Sequence, residues 1–287
     1  MEKETQSKVW KFLLKCLLSG AALYIVFSNI DRQQFAAIFL RANLWWLLLA
    51  LLLYHGSKII SAFRLNCYFR DVEINVAEKD NILLYYIGMF YNLFLPGGIG
   101  GDGYKVYLLH RQLSIPVKPA VQAVLFDRLA GVVALGILGF LFGWIAFPEI
   151  PYRNLLWIAV ALSFPAWYTT NLLLAKAFLP SFWKTSVLSL SVQGIQLLCA
   201  WSLLASLGIQ DYTAAYLTVF LISSLVSVLP VSIGGIGLRE LVFVAAAGLC
   251  PIDKSEAVAF SFLFFIVTAF SSLPGGFLAT PSFRKSP

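Results

Sequence analysis

The chain has 287 residues, of which 60% are apolar and only 12% charged, with a formal net charge of +7 and a mean hydropathy of +0.81. Soluble domains hold roughly 45–50% apolar and about 25% charged residues, so this balance excludes a soluble globular enzyme, a disordered chain and a nucleic-acid binder with a solvated basic face. The solvent is lipid, and the basic excess reads as cytoplasmic loops rather than as an anionic partner. Cys16, Cys67, Cys199 and Cys250 show no CxxC or Cys/His spacing, so no disulfide framework, metal site or cofactor is expected.

In chain order, Lys3, Lys8, Lys11 and Lys15 lead into an apolar run to Phe27 with no A-x-A-like cleavage site. That run is read as a first membrane helix, not a cleaved leader. Stretches long enough to span, about 20 residues each, are 10–29, 44–63, 119–147, 154–175, 185–207 and 256–279. The segment 33–42 reads as a short interfacial helix, and 61–80 as the main cytoplasmic loop. Trp45, Trp46, Trp157 and Trp183 fall where an aromatic belt would sit. Two further apolar stretches, 81–95 and 212–229, run into a Leu-Pro and a glycine cluster, and each is followed by an arm, 102–113 and 238–249. An arm of about 12 residues reaches about 18 Å, short of a hydrocarbon core about 30 Å thick. Each broken stretch with its arm therefore reads as a re-entrant hairpin, with eight thin spans as the alternative. Both versions put 13 basic residues on the inner side against 4 outside, with both termini cytoplasmic.

The two broken regions match each other. Leu95-Pro96-Gly97-Gly98-Ile99-Gly100-Gly101-Asp102-Gly103-Tyr104-Lys105 aligns with Leu229-Pro230-Val231-Ser232-Ile233-Gly234-Gly235-Ile236-Gly237-Leu238-Arg239 at a constant offset of 134 residues. Three predicted spans, an odd number, separate them. The two hairpins therefore enter from opposite faces, which is an inverted-topology repeat with elements 81–147 and 212–279 inside one transmembrane domain, 1–287, and no soluble domain. Paired Gly/Pro-interrupted segments point to a midplane binding site in secondary transporters; the plainer alternative is two kinked helices. A helix broken in hydrocarbon exposes backbone groups, which is tolerated only against protein or a wet cavity. Proline stops the first arm, glycine permits the break, and the next helix start attracts anions.

Charges at depth are costly and usually functional. Lys105, Arg128 and Arg239 are the candidates for holding a phosphate or lipid headgroup. Asn92, Asp102, Asp127 and Glu240 are the candidates for a polar cavity or proton coupling. Asp102 alternatively caps its helix, and its repeat counterpart Ile236 leaves the second helix start without an acid and freer to take an anion. Lys105 and Arg239 alternatively pair with Asp102 or Glu240. Asp127 and Arg128 do not face each other on a helix, so one or both must reach another helix. Asn92 lies four residues before Pro96 and is placed to bond backbone freed at the break. Lys58 reads as a snorkelling residue near an inner helix end, and His55 as a satisfied polar group.

Taken together, Asn92-Leu-Phe-Leu-Pro96-Gly-Gly-Ile-Gly-Gly101-Asp102, Asp127-Arg128-Leu-Ala-Gly131 and Leu229-Pro-Val-Ser-Ile-Gly-Gly-Ile-Gly-Leu-Arg239-Glu240 resemble the membrane region of lysylphosphatidylglycerol synthases, over roughly 10–280. In fused synthases that region precedes a soluble aminoacyl-transferase domain and moves the modified lipid between leaflets. No such domain is expected here, so the resemblance implies lipid handling without lipid aminoacylation. Many relatives place Arg where this chain has Lys105, which weakens a bidentate phosphate grip there. The sequence contains no H-E-x-x-H, G-x-S-x-G, P-loop or kinase signature, and no catalytic residue is nominated. The leading expectation is a plasma-membrane lipid translocase for a phospholipid or polyprenyl-phosphate lipid, without a nucleic-acid partner. An intramembrane lipid-modifying enzyme, with Asp102 or Asp127 as base, and an accessory subunit of a separate lipid-modifying enzyme are the alternatives.

Overall fold

The computed structural model describes residues 17, 20–94, 100–228 and 235–278. Among them the chain is a succession of eleven α-helices. They are α1 (20–28), α2 (Arg32–Leu40), α3 (Leu44–Asp71), α4 (Glu78–Phe94), α5 (Gly100–Leu113), α6 (Val117–Ala146), α7 (Leu155–Leu174), α8 (Phe182–Ser206), α9 (Thr213–Ser227), α10 (Leu238–Ala247) and α11 (Lys254–Phe277). Five of these, α3, α6, α7, α8 and α11, are long and apolar enough to cross a membrane. The start of the expected first span, 10–29, lies outside the described residues, as do the expected break residues Pro96, Gly97, Gly98, Pro230 and Gly234. The four hairpin arms appear as the shorter helices α4, α5, α9 and α10.

One boundary departs from the sequence reading. The expected cytoplasmic loop 61–80 is helical through Asp71, so α3 has 28 residues and the connection shrinks to 72–77. No glycine or proline interrupts 57–72, and Arg64, which suggested a loop, is buried and neutralised inside the bundle. The inner side thereby loses one basic residue, leaving 12 against 4, and the charge bias survives. The α3–α4 connection is held by Arg70 and Glu78 at 2.6 Å, and Asp71 accepts a hydrogen bond from the Ser181 hydroxyl.

Small residues set the close approaches that lipid-embedded helices need. A Cβ at Gly101 would run into the carbonyl oxygen of Gly88, and the Lys105 stem lies across Gly88 itself, so α4 and α5 touch backbone to backbone. On its other side α4 meets α11, where Gly275 sits on the Tyr86 carbonyl and Gly276 on the Phe90 ring. The hairpins are packed crosswise: α4 lies on α11, and α9 lies on α6.

Two apolar cores result. One gathers Leu65, Tyr68, Phe69, Leu84, Ile87, Leu109, Ala123 and Phe126. The other gathers Ala50, Tyr54, Leu135, Leu203, Tyr216, Phe220, Phe243 and Phe260. Helices α3 and α6 contribute to both. Four of their charged residues, Lys58 and Arg64 on α3 and Asp127 and Arg128 on α6, line one cavity.

Candidate functional site

Between the two cores lies a cavity of about 320 Å³. Eight helices line it, α3 to α6 and α8 to α11, so both arms of each hairpin contribute. Its wall carries five basic side chains, Lys58, Arg64, Lys105, Arg128 and Arg239, against two carboxylates, Asp102 and Asp127. The remaining polar wall is uncharged, with Ser61, Asn92, Gln193, Gln196, Ser227, Thr268 and Ser272 among it.

The carboxylates are already occupied. Asp102 accepts from Lys105 Nζ at 3.1 Å and pairs with Arg128 at 2.7 Å. Asp127 takes Arg64 Nε at 2.7 Å, and the guanidinium also donates to Ser189 Oγ at 3.0 Å. Neighbouring Asp127 and Arg128 thus reach two different helices, α3 and α5, as helical geometry requires. Lys58 and Arg239 have no carboxylate partner among the described residues, and neither 95–99 nor 229–234 contains an Asp or Glu. Both rest instead on aromatic faces. Lys58 Nζ is 4.6 Å from the Tyr54 ring centre, and the Arg239 guanidinium is 4.7 Å from that of Phe264. Tyr54 and Phe264 contact each other edge to face at 6.0 Å.

The structure sorts the residues singled out from the sequence. Asn92, Asp102, Lys105, Asp127, Arg128, Gly235 and Arg239 line one cavity. Asn92 Oδ1 accepts the Gly101 backbone N–H at 2.8 Å, one of the donors a helix start leaves unsatisfied. Asp102 is the third residue of α5, not its cap, and spends its oxygens on Lys105 and Arg128. Lys105 also sits over the Tyr85 ring at 4.2 Å. His55 is satisfied by the Tyr86 hydroxyl at 2.6 Å.

Three expectations need correction. Glu240 is buried but does not line the cavity. It folds back to accept the Gly237 N–H at 2.7 Å and the Ser261 hydroxyl at 2.8 Å. The second helix start is consequently served by an acid after all, and Arg239 does not pair with Glu240. The reason is local: Gly235 and Gly237 take positive φ of 82° and 83°, outside the right-handed helical region. So α10 begins at Leu238, four residues later in the repeat than Gly100 begins α5. Second, Lys58 does not snorkel. With α3 extended to Asp71 it is a mid-helix residue turned into the cavity. Third, Arg64 is the buried partner of Asp127 and not a loop residue. Gly100, Gly103 and Gly237 do not line the cavity.

The sequence of the Lysylphosphatidylglycerol synthase TM region family matches this chain over residues 12–186 and 173–275. The chain belongs to that family. Its matched range takes in every charged residue of the cavity. A UPF0104 membrane protein of Pyrococcus horikoshii is 31% identical over 128 residues, 43% of this chain and 37% of the relative. The chain therefore aligns with little more than a third of that relative's length. With the five span-length apolar helices, membership makes this an integral membrane protein.

Proposed function

We propose that this chain is a lipid translocase of the plasma membrane, and that the cavity receives the anionic headgroup of a phospholipid or polyprenyl-phosphate lipid. The surplus of cations in the cavity carries the reading: five basic groups stand against two carboxylates that are both ion-paired. Uncompensated positive charge inside a membrane protein is costly unless a ligand meets it. A volume of about 320 Å³ is at the small end of ligand pockets. It has room for a headgroup and not for acyl chains, which would stay in the bilayer while the headgroup crosses.

The crosswise packing of α4 on α11 and α9 on α6 supports the inverted repeat, because a pseudo-two-fold axis exchanges those two contacts. Rocking of one hairpin unit against the other would then open the cavity to alternate sides. Ion pairing of Asp102 and Asp127 weighs against a general-base role and so against the intramembrane-enzyme reading. The family name brings lysyl-phosphatidylglycerol as one candidate cargo. The test is purified protein in vesicles carrying a headgroup-labelled lipid, scored for the fraction reaching the opposite leaflet. Protein-dependent movement is expected. Product formation in detergent without any movement would favour the enzyme, and neither result without an added partner would favour the accessory subunit.

A further inference from the structure

Within that proposed translocation site, we infer that Lys58 and Arg239 form the phosphate-receiving subsite and that Gln193 takes a ligand hydroxyl. The headgroup is therefore an anionic, hydroxyl-bearing phosphate and not a cationic aminoacyl one. This rests on the cavity being a headgroup site, but it selects among headgroups on separate observations.

Of the five cations, Arg64, Lys105 and Arg128 are consumed by Asp127 and Asp102. Lys58 and Arg239 are not, among the described residues. They are held at the two ends of the Tyr54–Phe264 pair by ring faces and line the same cavity; the Glu240 carboxylate next to Arg239 in sequence is spent on the Gly237 N–H and the Ser261 hydroxyl. Aromatic faces orient a cation without using its N–H donors in strong hydrogen bonds. Both side chains thus keep donors for phosphate oxygens, Arg239 with the fork geometry that suits them.

Four hydroxyls of the uncharged wall have already spent their protons. Ser61, Ser227, Thr268 and Ser272 donate their protons to carbonyls of their own helices, Ser57, Ser223, Phe264 and Ala269. Their oxygens are left to accept. Gln193 is 7% exposed; its Nε2 faces the Gly131 carbonyl at 3.4 Å, while its Oε1 has no partner among the described residues. A buried acceptor without a donor is destabilising, and a ligand O–H would satisfy it. Ammonium groups are donors too, so acceptors alone do not discriminate. Charge does: an aminoacyl lipid with two amines for one phosphate is net cationic and would meet net positive walls whose carboxylates are both taken.

The test uses the full-length protein in detergent, binding measured by native mass spectrometry against phosphatidylglycerol, a polyprenyl-phosphate hexose, phosphatidic acid and lysyl-phosphatidylglycerol. The first two are expected to bind, and whichever binds tighter names the source of the headgroup. Lysyl-phosphatidylglycerol is expected to be at least about tenfold weaker. Lys58→Gln and Arg239→Gln should each weaken the anionic lipids by about tenfold or more, with Lys58→Arg restoring binding. Gln193→Leu should erase the preference for phosphatidylglycerol over phosphatidic acid. Lysyl-phosphatidylglycerol binding as tightly as phosphatidylglycerol overturns the inference on the unmodified protein, whatever the variants do. Neutral Lys58→Gln and Arg239→Gln variants overturn it as well. Selective binding without leaflet movement would sink translocation and leave the subsite standing. Movement blind to headgroup charge would do the reverse.

Discussion

Replacing Arg64 with Met should unfold the bundle far more readily than its conservative size suggests. Arg64 and Asp127 meet at 2.7 Å with side chains only 5% and 8% exposed. Losing one member of such a pair leaves a buried charge uncompensated, at about 3–5 kcal/mol. Little of that loss comes from Ser189, whose hydroxyl still donates to the Thr185 carbonyl at 2.7 Å. Removing the second charge as well, in Arg64→Met with Asp127→Leu, should recover most of the loss, because apolar replacements for a buried pair are often neutral. The pair Arg70–Glu78, at 2.6 Å but 55% and 41% exposed, provides the internal comparison, and Arg70→Met should cost under about 1 kcal/mol. The assay is denaturant unfolding in detergent micelles followed by tryptophan fluorescence, analysed as a double-mutant cycle. An Arg64→Met variant within about 1 kcal/mol of the parent, or a double variant no more stable than the single one, would refute the reasoning.

Three further outcomes follow from the packing. Gly101→Ala drives a methyl group into the Gly88 carbonyl, and backbone cannot yield as a side chain can. The expected loss is at the upper end of about 1–3 kcal/mol for overpacking, read as a lower melting temperature in detergent. Asn92→Leu removes the acceptor for the Gly101 N–H and should cost about 1–3 kcal/mol, measured the same way. Glu240→Ala strands the Gly237 N–H and the Ser261 hydroxyl and should also lower stability by about 1–3 kcal/mol. The loss is read as a lower melting temperature in detergent.

Apolar runs carried the long helices into legible form: the helices Val117–Ala146, Leu155–Leu174 and Lys254–Phe277 lie within a few residues of the stretches read from hydropathy. Asn92 was legible too, since a polar side chain one turn from a helix break has orphan backbone to serve. Arg64 was not. A charge at the end of an apolar run reads as the water boundary, and its cancelling partner lies 63 residues away on another helix. Lys58 was misplaced by the same error, because its depth depends on where α3 stops. The orientation of Glu240 turns on a four-residue delay in α10, fixed by backbone angles at Gly235 and Gly237 that composition does not encode. The glycine seats at Gly275 and Gly276 are tertiary facts, visible only once α4 is laid against α11.

The placement of Asp127 and Arg128 side by side on α6 has a consequence for biosynthesis. As the chain emerges from the ribosome, Arg64 enters the bilayer before its counter-ion, and a lone charge near mid-membrane costs about 2.5–3.5 kcal/mol on insertion scales, whereas Asp102 arrives with Lys105 on its own helix. One helix then supplies the missing partner, and its adjacent residues reach back to α3 and α5 together. Helix α6 is in this sense the keystone of co-translational assembly. A nascent chain arrested before it would present an unpaired Arg64 to the quality-control proteases of the membrane, and one arrested after it would not.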